Sequence, residues 1–300
     1  MKITTLDTNW TGRPQSIAAA LLEFDGARAI VDPGPASTLP ELRRRLAERG
    51  VSVSKLDAVL LTHIHLDHAA ATGELVRENP RIAVYVHERG APHMMDPSKL
   101  IGSARRLYGA ELETLYGEFL PVPQENLRIL RGGETLELGK GELYVQYTPG
   151  HASHHVTYFE PVDRVAFVGD TAGIRIANAL TILPITPPPD IEPEAWAKSW
   201  ELIRERQPER LFLTHFGVAD HISEHLEELR QRLEEWSVAV RESLEDGQTD
   251  AERAKQFTQQ VTAKLKRHMS AQDAERYARG AALDFCWSGL ARYWRKRSSK

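Results

Sequence analysis

Four times along this chain a short apolar run stops and a histidine or aspartate follows at once. Ala58-Val59-Leu60-Leu61 runs into Thr62-His63-Ile64-His65-Leu66-Asp67-His68. Val145-Gln146-Tyr147-Thr148-Pro149-Gly150 runs into His151, Ala166-Phe167-Val168-Gly169 into Asp170, and Leu211-Phe212-Leu213-Thr214 into His215. Each run reads as a buried strand. Side chains at the carboxyl ends of neighbouring strands converge on one crevice, so the pattern predicts a sheet with a polar site along one edge. Gly150 and Gly169 stand just before their polar residues, where glycine permits close backbone approach or unusual dihedrals. One histidine after one strand is usually structural or exposed. Four such events in order are hard to assign to chance.

The first cluster has its own geometry. In extended chain, residues two apart point the same way, so His63 and His65 can reach one ion from one side. A helix starting near Asp67 turns that residue and His68 toward a second position, and its N-terminus favours the carboxylate. Three imidazoles and a carboxylate within this short segment suit zinc or another borderline divalent ion. The bland alternative is a set of unrelated surface histidines, which the clustering and the preceding buried strand argue against. Seven of the twelve histidines lie outside the four segments, at 87, 93, 154, 155, 221, 225 and 268. His154 and His155 follow His151 closely enough to be pocket candidates, though packing or surface roles are expected of all seven. His221, His225 and His268 fall on predicted helices and are expected to be exposed. Tyr108, Tyr116 and Tyr158 could each donate to an oxyanion, with core or lid packing the plainer expectation.

Composition narrows the class. The chain has 300 residues, enough for one large domain or a core domain with an extension. A net charge of -4 gives no global case for a nucleic-acid or anionic membrane surface. The basic tail from Arg295 to Lys300 reads as a solvated terminus. The single cysteine, Cys286, excludes an internal disulfide and a thiolate zinc cluster, and is expected in the core. The first residues hold no signal-peptide pattern and no apolar run is long enough for a bilayer, so a cytoplasmic protein without membrane contact is expected.

Strand and turn signals dominate the first part. Asp25-Gly26 between two apolar runs predicts a hairpin, and Pro40 to Arg49 a helix stopped by Gly50. A helix is expected through Val76 and a strand over Ile82 to Val86. Residues 90–125 read as an inserted helical segment, including Lys99 to Phe119. Strands return at 136–138, 143–147, 156–159, 165–168 and 211–213, with a helix over Pro193 to Arg206. From about residue 221 the strand signal ends. Leu226, Leu229, Leu233, Trp236, Val240 and Leu244 form one helical stripe. Phe257, Val261 and Leu265 form a second, and the segment from Phe285 to Trp294 a third. The expected organisation is a catalytic unit over 1–220 and a helical extension over 221–300, which would either cover the crevice or serve as a homo-oligomer surface.

The ordered motifs Thr-His-Ile-His-Leu-Asp-His, Thr-Pro-Gly-His, Gly-Asp-Thr and Thr-His-Phe-Gly closely resemble those of the metallo-β-lactamase superfamily. Asp32-Pro33-Gly34 resembles its early strand-ending aspartate motif. The resemblance covers roughly residues 1 to 220 and implies an α/β fold, a four-layer αββα sandwich with metals at the edge of two sheets. It implies that His63, His65 and His151 hold one metal, that Asp67, His68 and His215 hold a second, and that Asp170 bridges them. Asp32 would orient a ligand histidine, or else serve only as a turn residue. Two divalent ions are implied, zinc foremost, with iron or manganese as alternatives. Adjacent cations lower the pKa of a shared water, to about 7 in the best mononuclear zinc case, which supplies a bridging hydroxide. Asp67 is the expected catalytic residue, orienting that hydroxide.

The substrate is a small molecule on this reading, attacked at an ester-type bond, thioester or lactone. Overall the motifs are most similar to the glyoxalase II-like branch, which hydrolyses glutathione thioesters. The stretch after Asp170, Ala172 to Asn178, departs from that branch's glutathione-binding pattern. The apolar, proline-rich loop from Leu180 to Pro189 points to a less polar substrate. Acyl-homoserine lactonases are similar in ligation. A phosphodiesterase or nuclease, and a mononuclear iron dioxygenase, are the alternatives within the fold. Net negative charge and the lack of a basic, aromatic-interleaved patch weigh against nucleic acid.

Overall fold

The computed structural model describes residues 1–176, 181–245 and 247–298. Ala177, Asn178 and Leu180 of the two stretches singled out after Asp170, and the last two residues of the basic tail, lie outside the described residues. Two six-stranded mixed sheets stack face to face. The first has strands in chain order: β1 (Lys2–Asp7), β2 (Ala18–Phe24), β3 (Ala27–Val31), β4 (Ala58–Leu60), β5 (Ala83–His87) and β6 (Leu127–Leu130). The second contains β7 (Thr135–Leu138), β8 (Gly141–Tyr147), β9 (Val156–Glu160), β10 (Val165–Gly169), β11 (Arg210–Leu213) and β12 (Gly217–Ala219), again in neighbouring order. Strands β3 to β6 run parallel, as do β10 and β11; the other pairs are antiparallel.

The central strands read as unbroken apolar runs because both their faces are buried. Along β2, Ala18, Ala20 and Leu22 enter the core between the sheets, while Ala19 and Leu21 enter the core beneath the first helical layer. Along β10, Val165 and Phe167 face the inter-sheet core, whereas Ala166 and Val168 join the core of the second helical layer. This period of two, apolar on both sides, makes the four-layer sandwich. Three strands were not anticipated. β1 carries only Ile3 and Leu6 as large apolar residues, β6 is half exposed, and β12 is three residues long. All three lie at sheet edges, where the apolar signal is weakest.

The first helical layer holds α1 (Leu39–Ala47), α2 (Leu66–Ala69) and α3 (Thr72–Glu78). The inserted segment supplies α4 (Ala91–Met95), α5 (Ser98–Tyr108) and α6 (Leu112–Tyr116). The helix expected from Lys99 to Phe119 is broken at Gly109, whose φ of 54° lies in the left-handed region. On the other side, α7 (Pro193–Glu205) is followed by α8 (Ile222–Ser243), α9 (Asp250–Leu265), α10 (Ala271–Gly280) and α11 (Leu283–Ser298). Thr249 and Glu252 start α9 with a reciprocal capping box.

The three C-terminal stripes are spent inside the chain. Leu226, Leu229, Leu233, Trp236 and Val240 of α8 share one core with Phe257, Val261, Leu290 and the outer face of the second sheet. A Cβ at Gly289 would stand 1.9 Å from the Thr186 carbonyl oxygen, so α11 lies directly against the proline-rich loop. Cys286 is buried there, accepts from the Thr186 N–H, and burial pushes its thiol up to about 12. None of the described helices is long and apolar enough to cross a membrane.

Candidate metal centre

Each polar residue singled out in the sequence lies just beyond a strand, at one shared edge of the two sheets. His63 and His65 follow β4, and Asp67 and His68 occupy the first turn of α2. His151 follows β8, Asp170 follows β10 and His215 follows β11. Glycine is required twice on the way. At Gly150, φ is 138° and a Cβ would stand 2.3 Å from the Trp196 backbone. At Gly169, φ is 47° and a Cβ would meet Thr62 Oγ1 at 2.4 Å and His155 Nε2 at 2.7 Å. Both positions turn the chain sharply so that the next side chain faces the crevice.

The donor atoms gather in three overlapping sets, each within 4.8 Å: His63, His65 and His151; Asp67, His68 and His215; and His63, His68 and Asp170. His65 Nδ1 lies 3.0 Å from both His63 Nε2 and His151 Nε2. That spacing approaches the roughly 3.3 Å edge of a tetrahedron with metal–nitrogen bonds of about 2.05 Å. Asp67 Oδ2 lies 3.2 Å from His215 Nε2 and 3.8 Å from His68 Nε2. Asp170 reaches both sets: its Oδ2 is 3.5 Å from His151 Nε2, and its Oδ1 is 3.4 Å from His68 Nε2 and 3.6 Å from His215 Nε2. His68 Nε2 and Asp170 Oδ1 are buried without a hydrogen-bond partner. Two orphaned buried polar atoms in an all-nitrogen-and-oxygen donor set are what a borderline divalent cation would satisfy. The residues present therefore fit the metals that the motifs imply.

The imidazoles are held in the tautomers that ligation needs. His151 Nδ1 donates to the Ile185 carbonyl at 2.7 Å, and His215 Nδ1 donates to the Ser16 carbonyl at 2.9 Å. His68 Nδ1 donates to Asp32 Oδ2 at 2.9 Å. His63 Nδ1 lies 3.1 Å from Thr62 Oγ1, which itself donates to Asp32 Oδ2 at 2.7 Å. In each case the other ring nitrogen faces the cluster. Asp32 is the hub: fully buried, it also accepts from the Thr62 N–H and from Thr214 Oγ1. It is a turn residue as well, with φ at 46°. The signal missed was the Thr-His pair at 62–63 and again at 214–215, whose threonines close on one carboxylate. Ser16 and Ile185 act through backbone carbonyls and left no trace in residue type.

Charge follows burial and neighbours. Burial depresses His63 and His151, which stay neutral. Burial also opposes charge on His68 and His215, but the Asp170 and Asp67 carboxylates outweigh it and raise both. Burial likewise opposes ionisation of Asp67, yet His68 and His215 hold its carboxyl down to about 2.

His154 and His155 diverge. The His154 ring stacks at 6.1 Å on His63 and lines the open side. His155 lies fully buried behind the cluster, its Nδ1 3.0 Å from Thr148 Oγ1 and 3.1 Å from Thr171 Oγ1. His221 and His268 are exposed as expected. His225 is not: it is buried on the inner face of α8 and donates from Nε2 to the Ala172 carbonyl at 2.7 Å. It lies beside Leu226 on the packed side of the helix, which ties α8 to the turn carrying Asp170. Tyr158 is buried with its hydroxyl donating to the Leu61 carbonyl, so it is a core residue.

The cluster floors a cavity of about 1170 Å³. Its walls come from the insertion, with Leu100, Leu107, Tyr108 and Tyr116, and from the C-terminal helices, with Lys255 and Phe285. Both added segments thus cover the crevice.

The sequence pattern of the metallo-β-lactamase superfamily matches residues 12–215, more than half of the chain. The chain belongs to that superfamily. Within it, the protein is 29% identical over 188 residues to a metallo-β-lactamase fold-containing protein of Sulfurisphaera tokodaii, covering 61% of this chain and 69% of the other. It is 25% identical over 142 residues to a hydroxyacylglutathione hydrolase of Buchnera aphidicola, covering 47% of this chain but only 41% of that enzyme. A metallo-β-lactamase family protein of Thermus thermophilus shares the fold, with a TM-score of 0.73 at 19% identity, covering 99% of this chain and 93% of the other. Superfamily membership and the His/Asp clusters make the protein a metal-dependent hydrolase.

Proposed function

We propose that the protein is a binuclear hydrolase of acyl esters, thioesters or lactones. The observation that carries this reading is the position of Asp170, with one carboxylate oxygen toward His151 and the other toward His68 and His215. His63, His65 and His151 would hold one ion, Asp67, His68 and His215 the other, and Asp170 would span them. Zinc suits this donor set best. Bound ions supply a hydroxide nucleophile at neutral pH and polarise the acyl oxygen. Asp67 lines the cavity, and with a carboxyl held near 2 it is a poor store for a proton. It acts instead as a fixed acceptor that aims the nucleophile at the acyl carbon. Burial pushes the Tyr108 hydroxyl up to about 12, so it stays protonated at the apolar wall of the cavity. The partial likeness to a hydroxyacylglutathione hydrolase supports an acyl thioester over a phosphodiester.

At fixed metal loading, matched thioester, lactone, β-lactam and phosphodiester substrates should separate by orders of magnitude, with an acyl ester in front. A phosphodiester in front, or oxygen consumption on a persulfide with one iron per chain, would replace this reading.

A further inference from the structure

The apolar, proline-rich loop from Leu180 to Pro189 points to a less polar substrate, but the assembled cavity is charged. Six cations line it: Arg13 from the N-terminal loop, Arg89 and Lys99 from the insertion, and Lys255, Arg276 and Arg279 from α9 and α10. Only three carboxylates outside the metal cluster join them, Glu111, Asp190 and Asp284. Asp190 is already engaged by the Ser153 hydroxyl at 2.6 Å. Among the described residues, Arg13, Lys99, Lys255 and Arg279 make no ion pair and no side-chain hydrogen bond. Arg276 donates to the Pro14 carbonyl and keeps a buried Nε without a partner. Unpaired like charges around one mouth repel each other and are relieved by an anion. The chain as a whole is net negative, so this positive rim is local.

Size and wall chemistry complete the constraint. A cavity of about 1170 Å³ exceeds the usual range of roughly 300–1,000 Å³ for small-molecule sites. Leu100, Leu107, Tyr108 and Phe285 offer an apolar wall close to the metal floor. We propose that the substrate is an acyl thioester of a large, phosphate-bearing carrier thiol. Its acyl chain lies on the apolar wall and its phosphates on the Lys99, Lys255, Arg276 and Arg279 side of the rim. This rests on the acyl-ester reading above. Hydrolysis forms a bond from water oxygen to the acyl carbon and breaks the carbon–sulfur bond. The thiol leaves with one proton of the water, and the new acid releases the other.

Recognition can be measured without turnover. Metal-loaded protein is titrated with S-hexyl coenzyme A and with S-hexyl-N-acetylcysteamine, non-hydrolysable thioethers that share the alkyl chain but not the phosphates. At low salt the phosphate-bearing thioether should bind at least about 100-fold tighter, with the gap narrowing as salt screens the rim. Lys255→Gln with Arg279→Gln should weaken it at least about tenfold, while Lys140→Gln, a distant surface change, should not. Affinities of the two thioethers within about threefold, or no response to the rim variants, would overturn the proposal. So would displacement by a single-stranded oligonucleotide at far lower concentration than by free coenzyme A. Hydrolysis of the matched hexanoyl thioesters is read separately. Tight, rim-dependent binding without hydrolysis would sink the acyl-ester reading and leave the anion site standing. Hydrolysis without any preference would do the reverse.

Discussion

The floor and the walls of the cavity are built in different ways. The floor comes from four short motifs, each following its own strand and fixed by buried hydrogen bonds, with Asp32 alone accepting from Thr62, His68 and Thr214. The walls come from α5 and, far along the sequence from it, the consecutive helices α9, α10 and α11, which present lysines and arginines beside half-buried apolar side chains. Rigid, over-determined geometry suits the groups that perform chemistry; adaptable side chains suit the groups that choose a substrate. Changes in the floor should therefore cost metal and kcat, whereas changes in the walls should cost KM.

The largest effect is expected from the floor. His151→Ala or Asp170→Ala should lower metal content and reduce kcat by at least on the order of 10³-fold, beyond the loss of one oxyanion donor. Retention of full metal and a change confined to KM would break the distinction. Asp32→Ala should weaken metal binding by about 10–100-fold although Asp32 belongs to none of the three donor sets and acts through His68, as read by chelator competition. Gly169→Ala should destabilise the fold by about 1–3 kcal/mol in thermal unfolding, because the left-handed backbone is strained for alanine. The collision with Thr62 and His155 adds to that.

A pH effect follows from the two raised histidines. In the metal-free protein, the ion pairs of His68 and His215 with Asp170 and Asp67 stabilise the fold fully below the ordinary imidazole value of 6.5. That contribution is lost as pH rises through their elevated folded values. Metal must displace those protons, so uptake at neutral pH should release protons and its apparent affinity should rise with pH. Calorimetry in buffers of different ionisation enthalpy checks this; zero proton release would contradict the charge assignment. The smallest effect belongs to the wall: Tyr108→Phe should raise KM by about tenfold or less, with kcat and metal content intact.

This contrast also explains what was legible in the sequence. The floor could be read because its residues sit at fixed offsets from apolar runs, and buried strands leave runs such as Ala58 to Leu61 and Val165 to Val168. The sandwich was legible for the same reason, apart from the edge strands β1, β6 and β12, whose sparse apolar residues leave little signal. The walls were not legible as a site. Arg13, Lys99, Lys255 and Arg279 look like ordinary solvated charges until the fold brings them to one mouth. His225 is expected outside because the α8 stripe shows only in apolar residues, and a histidine on its inner face carries no apolar mark.

The central claim is that Asp170 stands between two metal ions. Anomalous diffraction from metal-loaded crystals, with metal content measured on the same preparation, tests it directly. The account predicts two anomalous peaks per chain, one within His63, His65 and His151 and one within Asp67, His68 and His215, with Asp170 contacting both. A single fully occupied peak in a preparation saturated with metal, or two peaks with Asp170 outside the coordination sphere of either, would contradict it.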